Sequence, residues 1–166
     1  MRSVEMKFTI AKSAHHVYEL IADFPSYEAY ADAVRKIDIY NASDRACESC
    51  WEVKFRDGIL RWHERDEFYP EEKRIRFVQT KGDLALFEGN WRVSAIAEHE
   101  AELRFDAILD LGLPQLEKLL EPIAEQALRE NIASIVDGLF PGFARVHADN
   151  EKHSCAAVSP AALVAG

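Results

Sequence analysis

The stretch "PQLEKLLEPIAEQALRENIASIVDGLF", residues 114–140, decides the fold, because its apolar side chains recur at the spacing of one long amphipathic helix. These apolar positions are Leu116, Leu120, Ile123, Ala127, Ile135 and Leu139. Pro122 removes one backbone donor, so the helix is predicted either to kink there or to divide into 114–121 and 122–140. The folded part of the chain is therefore expected to end in a helix with one apolar face.

Upstream of this helix, from Val34 to Asp110, apolar and polar residues alternate in the manner of β-strands. Short polar breaks with the sequences NASD, RDG, YPEE, KGD and EHE are typical of hairpin connections. They separate six predicted strands, at 34–42, 45–55, 58–69, 73–81, 84–97 and 99–110. A meander of six antiparallel strands is the simplest topology.

The N-terminal segment "VEMKFTIAK" predicts one more strand, since Val4, Met6, Phe8 and Ile10 alternate with polar residues. Ser13 is a helix cap, and a first short helix stops at Pro25 before a second begins at Ser26. The predicted fold class is therefore α+β, with a seven-stranded antiparallel sheet and a long C-terminal helix.

Length and composition indicate one globular domain, because 166 residues, 48% of them hydrophobic and 30% charged, can bury one sizeable core. We place this domain at 1–146 and expect 147–166, which is small and polar, to be a disordered tail. The net charge of −9 repels phosphate backbones and anionic lipid heads, so no nucleic acid partner and no membrane insertion are expected. The expected ligand is a hydrophobic small molecule.

Targeting and cysteine patterns in the sequence predict neither a membrane anchor nor a metal site. No stretch resembles a signal peptide or a membrane-spanning helix, so a soluble, cytoplasmic protein is expected, with its oligomeric state left open. Cys47 and Cys50 form a C-x-x-C pair, but strand residues three apart point to opposite faces and no second pair completes a metal site. We expect free thiols, no metal and no cofactor.

The segment "GILRWHERDEFY", residues 58–69, carries charge on both faces of its predicted strand. One alternating set is Arg61, His63, Arg65 and Glu67; the other is Leu60, Trp62, Glu64, Asp66 and Phe68. Both sets contain charged side chains, so either orientation places charged groups in the interior. A carboxylate buried without partners is destabilising or acquires a raised pKa.

Four stretches carry a resemblance to a known family: "MRSVEMKFTIAKSAHHVYELIADFPSYEAY" at 1–30, "RWHERDEFYPEEKRIRF" at 61–77, "GNWRV" at 89–93 and "RENIAS" at 129–134. In their order and spacing the chain resembles the bacterial polyketide aromatase/cyclases of the START/Bet v 1-like (SRPBCC) superfamily. It is also similar to the coenzyme Q-binding COQ10 family. The resemblance implies a helix-grip fold, in which the sheet wraps the long helix and encloses an apolar cavity.

In the aromatase/cyclases the residue that matches Trp62 faces the cavity, so the resemblance places Glu64 and Asp66 inside and Arg65 outside. Two carboxyl groups on one apolar wall repel each other, which raises a pKa and makes Glu64 and Asp66 the predicted acid and base. Arg65 is the third predicted catalytic residue, as an orienting or carrier-facing charge. Many relatives carry an arginine where this chain has Asp66, so the alternative is a bulge that turns Arg65 inward and leaves the acids as surface charge.

The family's other polar positions carry over only in part. A histidine and an acid used by related members correspond to Ala107 and Ile135. Asn131 matches a frequent asparagine, whose amide either binds substrate or is satisfied within the core. The predicted substrate-binding residues are Trp62, Asn131, Trp91, Phe77, Phe105, Tyr30 and Trp51.

Three function classes remain. The first is a polyketide cyclase/aromatase that binds a poly-β-ketone, presented by an acyl carrier protein, and promotes regiospecific aldol cyclisation and dehydration. The second is a noncatalytic carrier of a hydrophobic ligand such as a quinone, and the third is a partner-binding module. Paired inward carboxylates favour the enzyme. An acidic carrier protein would need a basic patch, and the local concentration of positive charge is Arg35, Lys36, Arg61, Arg65, Lys73, Arg74 and Arg76.

Overall fold

Eight strands and three α-helices make up residues 1–148, the part of the chain that the computed structural model describes. In chain order the elements are β1 (Arg2–Ile10), α1 (Ala14–Ala22), α2 (Phe24–Tyr30), β2 (Val34–Tyr40), β3 (Ala46–Phe55), β4 (Gly58–Tyr69), β5 (Arg74–Gly82), β6 (Leu86–Ala97), β7 (Glu100–Asp110), α3 (Glu117–Leu139) and β8 (Ala144–Val146). The α+β helix-grip class is confirmed.

All strands join one antiparallel sheet in the order β2-β3-β4-β5-β6-β7-β1-β8. The predicted meander is present, because β2 to β7 are neighbours in chain order. The predicted number of seven strands is one too few, since Val146 pairs with Phe8 and adds β8 at the edge. Three residues are too short a segment to show an alternating pattern, which is why the sequence did not predict this strand.

The long helix α3 is continuous from Glu117 to Leu139, so its predicted division at Pro122 is wrong. Pro122 lies close to the helix N-terminus, where its missing N–H removes one bond without breaking the rest of the ladder. The residues before Glu117 form a turn, in which Leu116 N–H donates to the Leu113 carbonyl over 2.9 Å. Within residues 1–148, no helix is long and apolar enough to span a membrane.

The core lies between the inward residues of the strands and the buried side of α3. Fully or almost fully buried side chains include Val4, Phe8, Ile10, Ile75, Leu103, Phe105 and Val136. The C-terminal end of α3 packs closely on α2, because a Cβ at Gly138 would lie 2.1 Å from the Tyr30 carbonyl oxygen. Only glycine allows the two helices to approach this closely.

The C-terminal boundary was predicted at residue 146, and the backbone contacts continue to His147. His147 N–H donates to the Lys7 carbonyl over 2.8 Å, and its Nε2 lies 2.5 Å from Thr9 Oγ1. Residues 149–166, which make up most of the predicted tail, lie outside the described part of the chain.

Candidate active site

The sheet and α3 enclose a cavity of about 90 Å³. Its lining is apolar or aromatic apart from Glu64, Asp66 and Asn131. The other lining residues are Phe24, Tyr27, Trp51, Val53, Phe55, Leu60, Trp62, Ile75, Phe77, Leu84, Phe87, Trp91, Phe105, Leu109, Ala124, Leu128, Ile132 and Ile135. Glu64, Asp66 and Asn131 are therefore the polar side chains that a ligand in this cavity would meet.

We take the mouth of the cavity to be where lining residues from the β3–β4 hairpin, the loop before β6 and the middle of α3 are partly exposed. The lining side chains there are only half-buried: Phe55, Leu60, Leu84, Leu128 and Asn131. Asn131 faces the sheet, and its Nδ2 donates to the Lys54 carbonyl over 2.8 Å. This bond ties α3 to the end of β3 at the mouth.

Two stacked indoles form one wall. The rings of Trp51 and Trp62 are 5.9 Å apart and nearly parallel, at 5°. Their N–H groups point to polar partners: Trp62 Nε1 donates to Glu64 Oε2 over 2.6 Å, and Trp51 Nε1 donates to Ser49 Oγ over 2.7 Å. The stacked rings therefore connect the aromatic wall directly to the polar centre of the cavity.

A second aromatic group lines the opposite part of the sheet. Phe105 stacks on Phe77 at 5.8 Å and contacts Trp91 at 4.8 Å. Of the predicted substrate-binding residues, Tyr30 does not belong with these: it is 63% exposed and does not line the cavity, so its predicted location was wrong. The physical reason is that α2 ends at Tyr30, where α3 packs on its backbone rather than its ring.

Glu64 and Asp66 are the polar centre of the cavity, with 4% and 0% of their surface exposed. Asp66 Oδ2 accepts a hydrogen bond from the Ser49 hydroxyl at 2.5 Å and one from the Cys47 thiol at 3.7 Å. Among the described residues no N–H, O–H or S–H reaches the buried Asp66 Oδ1, and no cation lies within 4.0 Å of either carboxyl. The two acids face the cavity without a compensating charge.

Burial controls the ionisation of this pair. Burial, and then the charge of Asp66, raise the pKa of Glu64 well above its ordinary value. Burial also raises the pKa of Asp66, but its contacts with Glu64, Ser49 and Cys47 oppose that rise. Two neighbouring carboxyl groups buried without a cation among the described residues do not both ionise, and the pKa of Glu64 is the more strongly raised of the two. We therefore assign the proton to Glu64 and the negative charge to Asp66.

Cys47 supports this assignment. Burial, together with the charge of Asp66, raises the pKa of its thiol to about 12, so at neutral pH it remains a hydrogen-bond donor. With Ser49 it holds Asp66 Oδ2 in place. The sequence contained a signal for both residues: a short hairpin at RDG sets the register that pairs Cys47 with Asp66 and Ser49 with Glu64. The prediction rested on alternation along β4 alone, without its pairing to β3, so it did not include Cys47 and Ser49.

Arg65 lies on the other face of β4, where its side chain is 54% exposed and its Nε is 3.6 Å from Glu67 Oε1. The β4–β5 ladder does shift between His63 and Glu64. The β3–β4 register is unbroken, however, so alternation along β4 is preserved. The alternative in which a bulge turns Arg65 into the cavity is wrong.

The sequence profile of the polyketide cyclase/dehydrase and lipid transport family matches residues 10–136. The chain belongs to this family. No curated protein matches the sequence. The family includes both cyclases and lipid carriers by its description, so membership narrows the function without choosing between the two.

Solved structures show the same fold at low sequence identity. The protein TTHA0849 from Thermus thermophilus is 24% identical, with a TM-score of 0.77 over 83% of this chain and 94% of that one. The ZhuI aromatase/cyclase from Streptomyces sp. R1128 is 17% identical, with a TM-score of 0.76 over 84% and 91%. A START superfamily protein from Mycobacterium smegmatis is 17% identical, with a TM-score of 0.72 over 83% and 96%.

The predicted basic patch is largely neutralised in this member of the family. Five of its seven cations pair with a neighbouring carboxylate: Lys36 with Asp38, Arg61 with Glu52, Arg65 with Glu67, Arg74 with Glu72 and Arg76 with Glu88. In the described part of the chain, no group of three or more His, Cys, Asp or Glu side chains is arranged to hold a metal ion.

Proposed function

We propose that the protein is a polyketide cyclase/aromatase, which binds a poly-β-ketone in the cavity and promotes regiospecific aldol cyclisation and dehydration. The observation that carries this proposal is the pair Glu64 and Asp66, buried in an aromatic cavity with no cation of residues 1–148 within 4.0 Å of either carboxyl. A noncatalytic apolar carrier gains nothing from such a pair, because burying it reduces stability. An enzyme that moves protons at a ketone needs both an acid and a base.

The base in this mechanism is Asp66. Its Oδ2 is held by Ser49 and Cys47, whereas none of residues 1–148 donates to its buried Oδ1, which is available to accept a proton. Asp66 Oδ1 removes a proton from a methylene group between two ketones, which is already acidic. The enolate carbon then attacks a second carbonyl group of the same chain.

The acid is Glu64. Its proton is directed toward the attacked carbonyl oxygen, and it converts the developing alkoxide into a hydroxyl group. Trp62 orients the Glu64 carboxyl by donating to Oε2 and packs on Trp51, which gives the site a flat surface for a planar ring. Before dehydration, the proton that Asp66 has taken returns to Glu64, which restores the base and the acid. Asp66 then removes a second methylene proton while Glu64 protonates the leaving hydroxyl, which departs as water.

The size of the cavity limits what lies inside it. About 90 Å³ is less than the roughly 150 Å³ of an engineered cavity that holds benzene. The half-buried side chains at the mouth, Leu60, Leu84 and Leu128, must therefore move outward when the ring-forming segment enters. The rest of the poly-β-ketone then extends through the mouth toward the acyl carrier protein that presents it.

A second candidate is a carrier of a quinone or similar hydrophobic ligand, and the apolar lining of the cavity favours it. The two functions differ in what the purified protein contains and does. A carrier retains its ligand through purification, whereas an enzyme turns its substrate over and releases it.

The test combines both readouts. The protein is extracted with organic solvent, and in parallel it is incubated with an acyl carrier protein loaded with a poly-β-ketone. We expect no bound quinone in the extract and a single cyclised aromatic product by chromatography and mass spectrometry, absent with heat-denatured protein. A co-purified quinone together with an unchanged mixture of spontaneous products would replace the enzyme with the carrier.

A further inference from the structure

A second cluster of chemically active side chains lies on the outer face of the sheet, on β2, β3 and β4. Cys50 and His63 are directly opposite each other in the β3–β4 ladder, and Cys50 Sγ is 3.6 Å from His63 Nε2. The other ring nitrogen, His63 Nδ1, is 2.9 Å from the Tyr40 hydroxyl. A thiol, an imidazole and a phenol from three neighbouring strands are thus connected by two hydrogen bonds through the His63 ring.

The direction of the hydrogen bonds follows from the chemistry of each group. When Nε2 accepts the thiol proton, the single proton of a neutral imidazole is on Nδ1, where it donates to the Tyr40 oxygen. A nucleophile beside a base that is oriented by a third group is the general arrangement of covalent catalysis. We propose that Cys50 is a reactive thiol, activated by His63 and positioned by Tyr40, which adds to electrophilic enones and quinones at the outer surface of the sheet.

This site is separate from the cavity. Cys50 alternates with Ser49 and Trp51 along β3, so it points away from the acid pair. Cys50 and His63 are half-buried and Tyr40 is 38% exposed, which leaves the thiol accessible from solvent. Cys47 is the natural contrast within the same strand, because it is 5% exposed and burial raises the pKa of its thiol to about 12.

The surroundings of the cluster are charged but balanced. The charged side chains nearest to Cys50 and His63 in the strand register are Asp38 on β2, Glu48 and Glu52 on β3, Arg61 and Arg65 on β4 and Lys81 on β5. Asp38 pairs with Lys36, Arg61 with Glu52 and Arg65 with Glu67. Three of these six side chains are negative and three are positive, and a site without net charge is suited to an uncharged electrophile.

The reaction is an addition and needs no further reactant. His63 Nε2 takes the Cys50 thiol proton, and the thiolate forms a sulfur–carbon bond to the β-carbon of the enone. The electrons of the carbon–carbon double bond shift onto the carbonyl as an enolate. The imidazolium then returns its proton to the α-carbon, so the thioether forms with no leaving group and no change in the total number of atoms.

N-ethylmaleimide, which is itself an electrophile of this class, is the probe. All proteins carry Cys155→Ser, so that Cys50 and Cys47 are the remaining thiols, and Cys50→Ser identifies the labelled residue by intact mass. We expect Cys50 to react at about pH 7 roughly tenfold faster in the parent protein than in His63→Gln, and roughly tenfold faster than N-acetylcysteine. His99→Gln, which changes an 83% exposed histidine, is the matched control and should leave the rate unchanged.

The pH profile separates activation from mere exposure. As pH falls from about 8 to about 6, the labelling rate should fall less steeply in the parent than in His63→Gln, with Tyr40→Phe between the two. Thermal melts establish that each variant is folded, and the comparison with N-acetylcysteine still decides if His63→Gln does not fold. Equal rates and parallel profiles in the parent and His63→Gln, or a parent rate no higher than that of N-acetylcysteine, would overturn the proposal.

Discussion

Both faces of β4 carry charged side chains, but in opposite surroundings. On the outer face, Arg61 pairs with Glu52 and Arg65 with Glu67, and both arginines are more than half exposed. On the inner face, Glu64 and Asp66 are buried, and no cation in the part of the chain that the structure describes pairs with either carboxyl. The charged side chains of the outer face are paired and exposed to water. The two carboxyl groups of the inner face are neither paired with a cation of the described residues nor exposed to water.

The difference shows which charges matter for stability and which for chemistry. Exposed ion pairs contribute little, typically less than about 1 kcal/mol, because water screens them and the side chains lose rotamer freedom. A buried acid without a partner is destabilising and acquires a raised pKa. Carboxyl groups with pKa values raised by burial are concentrated at functional sites, and these two lie against the aromatic wall of the cavity.

The largest expected difference between the faces is in catalysis. Asp66→Asn keeps the size of the side chain and its bond with Ser49 but removes the base, so cyclised product should form about a hundredfold more slowly or worse. Arg65→Ala, one residue away on the outer face, should stay within about twofold of the parent. An active Asp66→Asn beside an inactive Arg65→Ala would reverse the assignment of the two faces.

Trp62 is the next position at which the comparison can be sharpened, because it lies in the cavity wall yet is only half-buried. Trp62→Ala removes the ring that stacks on Trp51, so an aromatic polyketide analogue should bind about 2 kcal/mol more weakly, or roughly 30-fold, by calorimetry. The melting temperature should fall less than for Phe105→Ala, whose side chain is 1% exposed. If affinity is unchanged while the melting temperature collapses, Trp62 is a packed core residue.

The third expected effect concerns stability: the contributions of Glu64 on the inner face and Glu67 on the outer face should depend on pH with opposite sign. The raised pKa of Glu64 means that the folded protein holds this proton more tightly than the unfolded chain does. The stability so contributed is present below the unfolded pKa of about 4.3 and is lost as pH rises through the folded pKa. From about pH 5 to about pH 8, urea unfolding should therefore show the free energy of unfolding of the parent falling relative to that of Glu64→Gln. The fall is about 1.4 kcal/mol for each pH unit of this range that lies below the folded pKa.

Glu67→Gln is the matched control on the outer face. The Tyr69 hydroxyl, which donates to Glu67 Oε2 over 2.6 Å, lowers the pKa of Glu67. Its contribution is present above the unfolded pKa and is lost only as pH falls through the folded pKa, so the parent and Glu67→Gln should keep a constant difference between about pH 5 and about pH 8. A Glu64→Gln curve parallel to the parent over the same range would contradict a buried, protonated Glu64.

Much of the fold could be predicted from the sequence because it depends on local periodicity. Alternation along 34–110 is a period-2 pattern, and the apolar stripe of α3 is a period-3.6 pattern, and both are visible without any tertiary information. The strand β8 was missed because three residues are too few to show a period. The continuity of α3 was missed because the loss of one hydrogen bond at Pro122 is outweighed by the remaining backbone hydrogen bonds of the helix.

The candidate site was predicted less completely. Strand alternation grouped Trp62 with Glu64 and Asp66, but a family resemblance was needed to decide that this group faces inward. Tyr30 was misplaced because its exposure depends on where α2 ends against α3. Cys47 and Ser49 were missed because their contact with Asp66 is a contact between strands, which depends on register rather than on composition.

By itself the sequence determined the order of the elements, the alternating faces of β4 and the presence of two acids on one of them, since each is a property of neighbours along the chain. Only the tertiary structure decided what surrounds those acids: the stacked indoles, the Ser49 hydroxyl and the Cys47 thiol that hold Asp66, and the absence of a cation among the described residues around the pair. The physical reason is that the pKa of a carboxyl group depends on burial and on charges within a few ångströms. Those neighbours come from strands that are distant in sequence and meet only when the sheet is formed.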